Sequence, residues 1–178
     1  MVRNAEYAKL TLEVYRGTAP QGWENLGVKL PPTAGDSGFY AAAYRNMATG
    51  EIVIAFRGTE LPDDLGDLTA DAAVATDGEH QQFVDALEFA RQIYEEYDQQ
   101  SYTVTVTGHS LGGGLAQLAA DVFGWDGVTF EAPGVGQLRD NQQFVDWFAG
   151  HAGEGLSFGH INGGFNNIVV AGSPCRLG

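Results

Sequence analysis

Basic residues are scarce. The 178 residues hold nine Lys and Arg against 23 Asp and Glu, a formal net charge of −14. A chain this acidic repels nucleic-acid backbones and anionic membrane surfaces. That disfavours nucleic acid and leaves neutral or zwitterionic partners as the easier fit, although acidity also serves solubility alone. Cysteine is nearly absent: Cys175 stands by itself, so no disulfide closes within the chain, and secreted and cytoplasmic locations both stay open. No apolar run approaches the ~20 residues of a membrane-spanning helix. The first ten residues carry Arg3, Glu6 and Lys9 without an apolar stretch, which is unlike a signal peptide. No paired His or Cys stands at metal-ligand spacing, and no glycine loop carries the Lys of a phosphate cradle. Neither metal nor cofactor is expected.

Repeats, low-complexity tracts and linkers are also missing, so residues 1–178 read as one domain with a sizeable core. Asn4 is placed to cap a helix with Ala8, Leu12 and Tyr15 on its apolar face and Gly17 at its end. A Pro- and Gly-rich loop covers Ala19 to Gly38. Strands are expected at Phe39 to Tyr44 and Ile52 to Phe56, with a turn at Asn46 to Gly50. Glu60 to His80 has no clean period and reads as a long loop with a helical turn. Phe83, Leu87, Ala90, Ile93 and Tyr97 recur at helical spacing. Tyr102 to Thr107 reads as a strand, Leu111 to Phe123 as a helix and Val128 to Phe130 as a short strand. Phe144, Val145 and Phe148 mark a further helix. Leu156 to Ile161 and Ile168 to Val170 close the series of strands. Strands alternating with helices imply an α/β fold with a mainly parallel sheet and helices on both faces.

Within this series stands Gly108-His109-Ser110-Leu111-Gly112, a G-x-S-x-G pentapeptide between an expected strand and an expected helix. That context defines a nucleophile elbow. The chain must reverse from strand to helix so sharply that side chains at positions 108 and 112 would collide, while the serine hydroxyl is lifted above the sheet edge. The helix N-terminus beneath it favours developing negative charge. The bland alternative is a glycine-rich helix start with an incidental serine.

Three stretches, Ile52 to Thr59 ("IVIAFRGT"), Val106 to Ala120 ("VTGHSLGGGLAQLAA") and Val128 to Gly136 ("VTFEAPGVG"), together resemble the class 3 lipases. These form the fungal-lipase-like branch of the α/β-hydrolases. The resemblance runs from about Tyr7 to the C-terminus and is most specific around Ser110. It implies an α/β-hydrolase sheet, lacking here the last strand and helix. It also implies ester hydrolysis through an acyl-enzyme on Ser110, of the lipase, esterase or phospholipase A kind. The residue after the Arg-Gly pair, Thr59, takes the family's oxyanion role, with the N–H of Leu111 as the second donor. The segment after Thr59 corresponds to the family's lid helix, with Leu61, Leu65 and Leu68 as its apolar residues; a solvated loop anchored by three leucines reads almost as well. Its acidity, from Glu60 to Asp71, favours small or dispersed esters over bulk fat. His80, in a stretch resembling the family's H-x-G-F, reads as structural.

The acid and base depart from the family pattern. The order should be Ser, Asp, His, but the matching stretch is Asn166-Asn167-Ile168-Val169, which puts Asn167 at the acid position. No histidine follows it. Of the four histidines, His109 lies inside the elbow, His80 precedes it, and His151 belongs to the wrong end of the sheet. His160 is the only internal candidate base, with a strand-end histidine bonded to backbone as its bland counterpart. Asp140 and Asp146 are reserve acids without positional support. A shortened piece of a longer hydrolase, or a neighbouring copy completing the site, would also account for the gap. The competing functional class is a catalytically impaired hydrolase fold that binds lipid or protein.

Overall fold

The computed structural model describes residues 2–58, 77–135, 142–151, 157–159 and 164–169. Its centre is a six-stranded sheet in the order β1-β2-β3-β4-β5-β6. The strands are β1 (Trp23–Asn25), β2 (Ala41–Asn46), β3 (Ile52–Phe56), β4 (Val104–His109), β5 (Asp126–Phe130) and β6 (Phe165–Ile168). β1, β2 and β3 pair antiparallel. From β3 onward every pairing is parallel. The turn between β2 and β3 is too short for a crossover, so that pair can only be antiparallel. The later strands are separated by helices that return the chain to the same edge: α3 (Asp77–Glu96), α4 (Leu111–Phe123) and α5 (Gln142–His151). α1 (Asn4–Arg16) and the single turn α2 (Ala34–Ser37) precede them.

Alternation along the buried strands divides the core into two layers. Ile52, Ile54 and Phe56 point to the side of α3 and α4, where Phe89, Ile93, Leu115 and Leu118 pack on them. Val53 and Ala55 point to the other side, against Leu10 and Val14 of α1. β3 is buried on both faces, as a central strand of a parallel sheet should be. The α/β expectation with helices on both faces therefore holds.

Several local expectations shift. α1 is capped one residue earlier, at Arg3, whose N–H donates to the Glu6 carboxylate at 2.9 Å. Its buried stripe is Tyr7, Leu10, Thr11 and Val14, while Leu12 is 59% exposed. The apolar letters alone mislead here because a threonine occupies the stripe. Its hydroxyl is satisfied across the interface by Thr107 of β4, at 2.8 Å. The stretch read as loop from Ala19 to Gly38 contains β1 and α2. Residues 157–159 are not strand, and the rest of the strand expected at Leu156 to Ile161 lies outside the described residues. β6 begins before its expected position, at Phe165.

Tyr44 lies fully buried under α1, and its hydroxyl has no hydrogen-bond partner among the described residues. Burial pushes its pKa up to about 12. An unfolded tyrosine ionises near 10, so the unfolded state gains charge first and stability falls as pH rises from about 10 to about 12. Tyr44→Phe removes an unsatisfied polar atom and is expected to raise stability by roughly 1 kcal/mol. It should also blunt the alkaline loss. Urea unfolding at pH 8 and pH 11 checks both, and a destabilised variant contradicts them.

Candidate active site

Ser110 stands between β4 and α4 with φ 53° and ψ −129°, a conformation that L residues other than glycine rarely adopt and that costs on the order of 1–3 kcal/mol. Two bonds hold it there. Its N–H donates to the Phe130 carbonyl at 3.0 Å, extending the β4–β5 ladder by one residue. Its own carbonyl accepts the N–H groups of Gly113 and Gly114 at 2.8 and 3.1 Å, starting α4. The strand is thus paired up to the serine and the helix begins at it.

The glycines around Ser110 are demanded by contact. A Cβ at Gly108 would lie 2.2 Å from the Gly112 carbonyl oxygen. One at Gly112 would lie 2.4 Å from the Phe56 carbonyl oxygen and 2.6 Å from the Gly58 nitrogen. These obstacles are main chain, so nothing can swing aside. The first turn of α4 therefore rests directly on the end of β3. Leu111 is the first residue of α4, where N–H groups have no partner within the helix. Its N–H directly follows the serine at the start of the helix.

Past β3 the chain is held at successive residues. Arg57 donates its N–H to the Tyr40 carbonyl at 2.9 Å, and its guanidinium lies over the Tyr40 ring, 4.8 Å from the centroid. Gly58 donates its N–H to the Tyr15 phenol oxygen at 2.9 Å. Thr59 and the leucines of the expected lid segment, Leu61, Leu65 and Leu68, lie outside the described residues, as do His160 and Asp140.

Asn167 sits on β6, paired with Thr129 of β5, which in turn pairs with Gly108 of β4. It is thus two strands from β4, level with Gly108. Its amide is engaged at both ends. Oδ1 accepts from the Thr129 hydroxyl at 3.1 Å and from the Ala132 N–H at 3.3 Å, and Nδ2 donates to the Ala132 carbonyl at 2.9 Å. A carboxylate could not make the last of these bonds. Gln117 of α4 continues the network, reaching Thr129 at 3.5 Å and accepting the Val135 N–H at 3.3 Å. This latch fixes residues 131–135, and the Ala132 Cβ closes against Gly113 at the elbow, where an added Cβ would come within 2.5 Å of it.

The remaining titratable candidates are spread out. His109 ends β4 and is half-buried. His80 falls within α3 and His151 ends α5. Asp146 is exposed on α5 and accepts a bond from the Gln142 amide at 2.8 Å. No group of three or more metal-ligating side chains occurs among the described residues, and no described helix is long and apolar enough to cross a membrane.

The Tle-like phospholipase domain model matches residues 6–145, from α1 through the elbow and beyond β5. The chain belongs to this phospholipase-like family. Among its relatives is the extracellular phospholipase A1 of Serratia liquefaciens, 33% identical over 124 residues, which cover 68% of this chain and 36% of that one. The candidate lipase ATG15 of Candida albicans is 45% identical over 108 residues, covering 52% of this chain and 18% of that one. The chain therefore spans about a third or less of the length of these two relatives. The native Rhizomucor miehei lipase–propeptide complex superposes with a TM-score of 0.52 at 20% identity, covering 74% of this chain and 54% of that one. This likeness is one of fold, and it agrees with the fungal-lipase-like α/β-hydrolase resemblance read from the sequence.

Tyr15, Gln117 and Thr129 were not singled out as site residues from the sequence. Gln117 left a signal, an amide in the otherwise apolar run Leu115 to Ala120. For Asn167 the geometry sets a clear expectation. Asn167→Asp replaces the donor to Ala132 by an oxygen facing a carbonyl oxygen, and should cost roughly 1–3 kcal/mol of stability. Thermal unfolding at neutral pH checks this, and a variant as stable as the parent contradicts it.

Proposed function

We propose that the chain hydrolyses carboxylic esters of neutral or zwitterionic lipids, by attack of Ser110 on the acyl carbon. The observation that carries this reading is the strained Ser110 backbone at a strand–helix junction with no room for side chains at 108 and 112. A protein gains nothing structural from a strained serine where an unstrained turn would serve. The family match and the phospholipase A1 relative support the same substrate class. Acylation of Ser110 breaks the ester C–O bond and releases the alcohol, and water then attacks the acyl-enzyme, releasing the acid and restoring the serine hydroxyl. Leu111 and Thr59 supply the N–H donors to the tetrahedral oxyanion, each worth ~10²–10³ in rate in comparable sites.

His160 is the only internal candidate for the base, the alternatives being a histidine of a longer chain or of a neighbouring copy. Asn167 holds the acid position as an amide, and its bonds to Ala132 and Thr129 give it a different task from that of a buried carboxylate: it holds β6 against the loop behind the elbow. The acidic surface supports neutral or zwitterionic head groups over anionic ones.

Ser110→Ala removes the nucleophile without opening a large cavity. Hydrolysis of a p-nitrophenyl ester and of phosphatidylcholine should fall to background, while circular dichroism and Tm stay at the parent values. A folded Ala variant that hydrolyses either substrate at the parent rate would overturn the assignment. The competing reading, a lipid-binding module without turnover, draws on the amide at position 167. It predicts vesicle binding with no hydrolysis by the parent chain.

A further inference from the structure

We propose that Tyr15, on the first helix, is a positioning residue for the oxyanion turn. The inference rests on the ester-hydrolase reading and adds to it a residue more than ninety positions from the nucleophile.

Sheet pairing ends where the turn begins. Arg57 still donates its N–H to the main chain of Tyr40. The next N–H, that of Gly58, has a side-chain acceptor instead, the Tyr15 phenol oxygen at 2.9 Å. Three segments meet at this point: a Cβ on Gly58 would lie 2.8 Å from the His109 carbonyl oxygen, 3.0 Å from the Tyr15 phenol and 3.3 Å from the Gly112 nitrogen. The phenol thus touches the same peptide that packs against the elbow on both sides of Ser110. In sequence the next residue is Thr59, to which the resemblance gives the oxyanion role. By accepting the Gly58 N–H, the phenol holds the peptide that enters the turn against the elbow.

Tyr15 is itself held in place. One helical turn earlier, Thr11 is bonded at 2.8 Å to Thr107, which also donates to the Val128 carbonyl at 2.6 Å. Residues i and i+4 lie on one face of a helix. The same face of α1 therefore ties the nucleophile strand through Thr11 and the oxyanion turn through Tyr15.

The test compares Tyr15→Phe with Thr11→Val, which cuts a different polar tie of α1 and does not touch the turn. For Tyr15→Phe, kcat on a p-nitrophenyl ester should fall roughly 10–100-fold with KM within about two-fold, the pattern of a misplaced transition-state donor. The Gly58 amide proton should exchange faster by NMR, with the β3 amides unchanged. For Thr11→Val, Tm should drop while kcat stays within about two-fold. Parent-level kcat in Tyr15→Phe, unchanged Gly58 exchange, or equal kcat losses in both variants would overturn the proposal. If the parent chain hydrolyses no ester, the ester-hydrolase reading has failed, and Gly58 exchange alone decides: faster exchange in Tyr15→Phe upholds the tie to Tyr15, and unchanged exchange rejects it.

Discussion

Main chain meets main chain at the elbow, and the rest of the molecule is arranged around that contact. Gly112 rests on the Phe56 carbonyl and the Gly58 nitrogen, and Gly108 on the Gly112 carbonyl. The first turn of helix α4 consequently carries glycine at Gly112, and Gly113 and Gly114 follow it. Each is disfavoured in a helix by about 1 kcal/mol relative to alanine. The remainder of the helix offsets this by burying nearly every side chain from Leu115 to Val122 between the sheet and its neighbours. Position and strain of Ser110 follow from this contact: with the helix pressed onto β3, the reversal from β4 has no wider path.

Polar ties flank the contact on both sides. On one face of the sheet, α1 reaches β4 through Thr11 and the turn after β3 through Tyr15. Towards β6, Gln117, Thr129 and Asn167 hold residues 131–135, and through Ala132 the outer side of Gly113. Buried hydrogen bonds contribute modestly to net stability but cost heavily when half made, so they select one arrangement over its neighbours. That property suits a site whose donors must stand within a fraction of an ångström of their target.

The parts legible in the sequence were those governed by local rules. Ile52 to Phe56, an unbroken apolar run, is the doubly buried β3, and α4 has the bounds its glycine start and apolar body announce. G-x-S-x-G marked the elbow because Gly108 meets Gly112 within the same five residues, while Gly112 also answers the distant end of β3. Features set by distant partners were misread. The buried face of α1 turns on Thr11, whose place in the core depends on a hydroxyl 96 residues away. Strand β1, three residues long, exists through its pairing with β2 rather than through its own composition. Asn167 reads from sequence as an aspartate replaced by its amide; in the fold the amide nitrogen has a carbonyl to meet. Tyr15 reads as part of an apolar face, and its distinguishing atom is the phenol oxygen.

The central claim is that the elbow holds an activated serine. Its most direct measurement is covalent capture: incubation of the parent chain with a fluorophosphonate, followed by proteolysis and mass mapping of the adduct. The account predicts a single phosphonylated site at Ser110, absent from heat-unfolded protein. No adduct on Ser110 under conditions that label a control esterase to completion, or labelling that persists equally after unfolding, would contradict it.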